Sequence, residues 1–116
     1  RDNWRADSGA IAALVVLEQI CRAGVPLSEL RRPFERYVAS GEINSRVDDP
    51  AAAIARVAAT FGGEQDRLDG LTVDLGDWWF NLRPSNTEPL LRLNLEAADR
   101  AACDARTAEV LEVVRA

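Results

Sequence analysis

Apolar positions along this chain follow two different periods, and the change between them divides it. Ile11, Leu14, Val15 and Leu17 recur at steps of one to three, behind a capping Asp7 or Ser8 and ahead of Gly24 and Pro26. This predicts a helix that ends at Gly24. Apolar residues cover much of its circumference, so it is expected to pack on more than one side. Cut away from a preceding domain, such a helix needs a substitute surface, and self-association through it is expected. A second, shorter helix is expected from Leu27 to about residue 32, where Pro33 limits it. Residues 33–40 read as a connector.

From Gly41 the period shortens. Residues 42–47 alternate polar and apolar, with Ile43 and Val47 as anchors, and predict a half-buried strand. Asp49-Pro50 starts a helix and Gly62-Gly63 stops it; between them Ile54, Val57, Ala58 and Phe61 form one face. Asp69-Gly70 signals a hairpin, after which Leu71, Val73 and Leu75 alternate with Thr72 and Asp74. Residues 78–82 are rich in aromatic side chains, as strands often are, and Leu91, Leu93 and Leu95 mark another strand with one buried face. Asp99 caps a last helix whose face is expected to carry Ala101, Ala105, Ala108, Leu111 and Val114. The expected architecture is α+β: an antiparallel sheet of about four strands with two helices on one face, over residues 41–116. Residues 1–23 then read as the end of a preceding domain and residues 24–40 as a linker. A chain that opens on Arg1 rather than Met is expected to be part of something longer.

Composition narrows the functions. The chain has 116 residues, 47% hydrophobic and 28% charged, and its longest apolar run, residues 10–17, is too short to cross a membrane. A net charge of −5 gives no general attraction to a polyanion, so nucleic acid is not an expected partner. All 14 basic residues are arginine, and histidine is absent, which excludes imidazole acid–base chemistry and histidine metal sites within this chain. Cys21 and Cys103 form no Cys-x-x-Cys unit; each falls in a helical apolar pattern and is expected to be a small buried hydrophobe. A reducing cytoplasm is the expected compartment.

The candidate chemistry lies in Arg83-Pro84-Ser85-Asn86-Thr87-Glu88-Pro89, between two strands. A dianionic phosphate offers several acceptor oxygens. Arg83 can meet two with its planar fork, Ser85 and Thr87 can each donate an O–H, and Asn86 tolerates a left-handed backbone. Pro84 and Pro89 stiffen the ends of the turn. The same residues are also ordinary loop formers, and a purely structural turn is the competing reading. Glu88 is expected to fix the loop by accepting backbone N–H groups rather than to catalyse. Asp48-Asp49 looks like a metal pair, but adjacent carboxylates point apart and Pro50 marks a helix cap. Trp78 and Trp79 invite sugar stacking; as strand neighbours they face opposite ways, so one is expected in the core and the other over the sheet or the linker.

Arg-Pro-Ser-Asn-Thr-Glu-Pro, followed by the alternating Leu-Leu-Arg-Leu-Asn-Leu-Glu and a terminal helix, resembles the C-terminal domain of the α-D-phosphohexomutases, nearest the phosphomannomutase/phosphoglucomutase branch. Upstream, Arg1-Asp2-Asn3-Trp4-Arg5-Ala6-Asp7-Ser8-Gly9 resembles the segment leading into the last helix of that family's third domain. The resemblance implies a four-domain parent that moves phosphate between O1 and O6 of a hexose through a bisphosphate that reorients between transfers. It implies that Arg83, Ser85, Asn86 and Thr87 hold the phosphate not being transferred, that no catalytic residue lies in this chain, and that the chain alone is inactive. The transferring phosphoserine and the Mg²⁺ site would lie in the parent's other domains; neither motif occurs here. The implied partners are a phosphosugar and the preceding domains, with the linker as a hinge for a mobile lid. Phosphoglucosamine mutases usually have Gly where this chain has Asn86, which favours the hexose enzymes. A phosphoglucosamine mutase and a non-enzymatic interaction module remain the alternatives.

Overall fold

Residues 7–116 are described by the computed structural model, and they fall into two units divided between Glu35 and Arg36. Most of the upstream match, residues 1–6, lies outside the described residues. In the first unit the Ser8 hydroxyl accepts the Ile11 N–H at 3.3 Å and starts α1 (Gly9–Ala23). Gly24 ends it at φ 66°, a left-handed conformation that suits glycine. Pro26 leads into α2 (Leu27–Arg31), which tightens to a 3-10 turn at Arg32–Phe34. No residue of α1 is buried, and Ile11, Leu14, Val15, Val16 and Leu17 are exposed. Cys21, expected to be buried, is exposed on this helix, while Cys103 is fully buried as expected. No single described helix is long and apolar enough to cross a membrane; the pair Gly9–Ala23 and Leu27–Phe34 meets that test only together, bent by 102°.

The second unit has the expected α+β architecture, with six strands in place of about four. β1 (Val38–Ala39) and β2 (Ile43–Arg46) both pair with β6 (Leu90–Ala97) along one edge. Between them Ser40 keeps the ladder intact: its N–H donates to the Leu95 carbonyl at 2.8 Å and its Oγ accepts the Leu95 N–H at 3.0 Å. Beyond β6 come β5 (Trp78–Pro84), β4 (Leu71–Asp74) and β3 (Glu64–Asp66), all antiparallel. The two added strands escape periodicity for different reasons: β1 has only two residues, and β3 is Glu-Gln-Asp without an apolar anchor.

Two helices cover one face of this sheet. α3 (Pro50–Thr60) begins where Asp49 caps Ala52 N–H at 3.0 Å, and α4 (Arg100–Arg115) where Asp99 caps Ala102 N–H at 2.8 Å. Ala53, Val57, Cys103, Val110 and Val114 from the helices meet Leu71, Val73, Trp78, Phe80, Leu82, Leu91, Leu93, Leu95 and Ala97 from the strands in one core. The face predicted for α4 needs correction. Cys103, Val110 and Val114 form its buried line, while Ala101, Ala105 and Ala108 are exposed. Alanines mark the helical period on several sides at once, and the larger side chains decide which side is buried. The opposite sheet face is polar and carries Trp79, Asn81 and Arg83 on β5 against Glu96, Asn94 and Arg92 on β6.

Candidate functional site

Arg83 and Pro84 are the last residues of β5, and the candidate loop joins β5 to β6. The Ser85 N–H donates to the Leu90 carbonyl at 2.9 Å and closes the hairpin; the Leu90 N–H donates to the Glu88 carbonyl at 2.8 Å. Glu88 thus fixes the turn through its main-chain oxygen, whereas its carboxylate was the acceptor expected from sequence. Ser85 Oγ accepts from Arg92 Nη2 at 3.3 Å, lies 3.4 Å from Thr87 Oγ1 and is 3.4 Å from the Thr87 nitrogen. These contacts are long, so both hydroxyls keep capacity to turn toward another acceptor.

Arg92 is the residue that motif reading missed. It stands directly across the β5–β6 ladder from Arg83, on the same polar face. The signal was available, because the alternation of Leu91, Leu93 and Leu95 already assigns Arg92 to the solvent side, next to the strand that ends in Arg83. Like charges directly opposed destabilise a sheet. Glu42, just ahead of β2, offsets this with Oε2 3.6 Å from Arg83 Nη2 and Oε1 3.6 Å from Arg92 Nη1. Asp69 Oδ2 lies 4.0 Å from Arg83 Nη1. The Arg83 and Arg92 side chains are 36% and 29% exposed, while the Arg92 Nε is buried without a hydrogen-bond partner.

Asn86 lines a crevice of about 430 Å³ that it shares with Arg67, Asp69, Gly70, Arg83 and Pro84. The structure therefore joins Ser85 to Thr87 directly, links both to Arg83 through Arg92 and Glu42, and places Asn86 on a crevice with Arg83. Gly70 presses against this end of β5. A Cβ there would stand 2.5 Å from the Leu82 carbonyl oxygen and 2.8 Å from the Arg83 Cα, at a φ of 76°. A larger groove of about 850 Å³ lies elsewhere, lined in part by Tyr37, Phe61, Trp78 and Arg106.

The two tryptophans separate as their strand positions demand. Trp78 is buried at 9% exposure, stacks on Phe80 and meets Phe61 edge-on, with the Arg106 guanidinium 5.2 Å from its ring. Trp79 is on the polar face, where its Nε1 donates to Glu96 Oε2 at 3.3 Å. Among the described residues, no group of three or more His, Cys, Asp or Glu side chains is placed to hold a metal ion, and Asp49 serves as the α3 cap.

Fold and loop together define an antiparallel α+β domain with paired arginines and hydroxyls at one end of its sheet. The family described as "Phosphoglucomutase/phosphomannomutase, C-terminal domain" matches residues 42–113, and the chain belongs to this family. A phosphomannomutase of Salmonella montevideo is 50% identical over 98% of this chain. A protein of Xanthomonas campestris described as "Phosphohexose mutases" is 46% identical over 99%, and a probable phosphoglucosamine mutase of Thermococcus kodakarensis is 38% identical over 77%. The crystal structure of a phosphoglucomutase/phosphomannomutase family protein from Burkholderia thailandensis superposes with a TM-score of 0.69, at 27% identity, over 98% of this chain and 26% of that one. The chain spans about a quarter of the length of these relatives, 26% and 27% for the first two and 21% for the third.

Proposed function

We propose that the chain is the C-terminal part of a cytoplasmic phosphomannomutase/phosphoglucomutase, and that Arg83, Ser85, Asn86 and Thr87, with Arg92, hold the phosphate that is not being transferred. The observation that carries this reading is the cross-strand pair Arg83 and Arg92 with the Ser85 and Thr87 hydroxyls beside it. Two guanidiniums and two hydroxyls can meet a tetrahedral dianion and make no demand on the sugar. A mutase whose intermediate turns end for end needs this indifference, since tight binding of one orientation would slow the turn. Transfer itself would fall to the parent's other domains, where Mg²⁺ would supply charge stabilisation; the chain alone is then inactive. The similarity to a phosphoglucosamine mutase leaves amino-sugar phosphates as the second substrate reading. A clamp directed at phosphate accepts both, and product assays on the full-length parent separate them.

Amide NMR titration of the chain tests the site. Inorganic phosphate and mannose 6-phosphate at millimolar concentration are expected to shift residues 83–87 and 92, and mannose is not expected to. No shift with either phosphate, in a folded chain, would overturn the assignment. In the parent, the chain would act as a lid that closes over the substrate. Small-angle scattering of the full-length enzyme is expected to show compaction on adding mannose 6-phosphate; an unchanged profile would remove the lid role.

A further inference from the structure

We propose that Glu42 is the internal counter-ion of this site, a carboxylate that occupies both arginines until phosphate arrives and so holds phosphate affinity down. The inference rests on the phosphate reading above. Its basis is geometric. One carboxylate divides itself between two opposed guanidiniums at 3.6 Å each and forms a full hydrogen bond with neither. Ion pairs elsewhere in the chain close to 2.7 Å at Arg22–Glu18 and 2.8 Å at Arg106–Glu109. Glu42 is thus near enough to offset part of the pair's charge and too far to lock it.

Its position also permits exchange. Glu42 follows Gly41, which turns the chain at φ 72°, and precedes the first residue of β2. Its side chain is 38% exposed, so it can rotate to solvent without disturbing the core. The resting site holds two positive charges from Arg83 and Arg92 and one negative from Glu42, with Asp69 4.0 Å from Arg83. A phosphate dianion entering between the arginines meets the Glu42 carboxylate as a like charge and must displace it. Each binding event therefore competes with an internal anion, and each release is assisted by one. For a phosphate that has to leave and return after the sugar turns, a trimmed affinity is useful.

The test compares the unaltered chain with Glu42→Gln, Glu42→Asp and Arg83→Ala, titrated with inorganic phosphate at low and high NaCl. Glu42→Gln removes the charge and nearly preserves shape, and is expected to bind phosphate about three- to tenfold more tightly, as the loss of partly exposed ion pairs allows. The gain is expected to shrink at high salt, a dependence that a purely structural side chain would not impose. Glu42→Asp keeps the charge and is expected to bind close to the unaltered chain, and it also shows whether the position tolerates change. Equal or weaker binding by Glu42→Gln, while Arg83→Ala still abolishes the response, would overturn the counter-ion role and leave the phosphate site standing. No response from any variant, Glu42→Gln included, would overturn both.

Discussion

Arg83→Ala is expected to weaken phosphate binding by the 116-residue chain about 10- to 150-fold, which corresponds to the 1.5–3 kcal/mol typical of a hydrogen bond to a charged group. Two effects act in the same direction. The fork that would meet two phosphate oxygens is lost, and Glu42 and Asp69 lose the cation that would screen them from the ligand. Thr87→Val removes a single donor that carries no charge of its own and is expected to cost less than Arg83→Ala, about 10-fold. Arg83→Lys restores the charge without the planar fork and is expected to recover part of the loss. The fold should not suffer, because the Arg83 side chain is 36% exposed and its removal relieves the opposition with Arg92. The same NMR titration, with a thermal melt of each variant, checks both statements. An Arg83→Ala chain that binds as before, or a Thr87→Val chain that loses more than Arg83→Ala, would sink the arrangement of roles argued above.

Much of the candidate site was readable because its core is contiguous. Arg83, Ser85, Asn86 and Thr87 fall within five residues, and the alternation on either side says that a hairpin joins them. Glu42 was not readable. It reaches Arg83 and Arg92 only because β2 pairs with β6, a contact across some fifty residues of chain that no local pattern encodes. Arg92 is intermediate: its face was legible and its partner was not, since the partner depends on register. The same distinction runs through the fold. Asp49-Pro50 and Gly62-Gly63 bracket α3 because capping chemistry is local. β3 is held from outside its own sequence, by backbone pairing with β4 and by the Gln65 amide, which donates to the Ala58 and Phe61 carbonyls at 2.8 and 3.1 Å. α4 shows the converse, a helix whose existence is plain and whose buried side is settled by the sheet it meets.

The polar face can carry a site only if the other face carries the stability, and one pair of aromatic substitutions separates the two. Phe80→Ala is expected to destabilise the domain by about 3–5 kcal/mol, the range for a phenylalanine deleted from a close-packed core. Phe80 has no exposed surface; its ring lies 5.3 Å from Phe61 and 5.7 Å from Trp78, so the change opens a cavity and breaks two aromatic contacts. A domain of this size is stable by roughly 0.05–0.15 kcal/mol per residue, so the loss would consume a large part of the total. At roughly 4–8 °C per kcal/mol for a small domain, the melting midpoint should fall by about 12–40 °C if the variant folds at all. Trp79→Ala, one residue away, removes a larger ring. That ring is 36% exposed on the opposite face with one 3.3 Å hydrogen bond to Glu96, and the expected cost is about 1 kcal/mol or less. Thermal and urea unfolding of the two variants measure the difference. Comparable losses would mean that the Trp79 face is also packed, and a face packed in the isolated chain could not present Arg83 and Arg92 to a ligand.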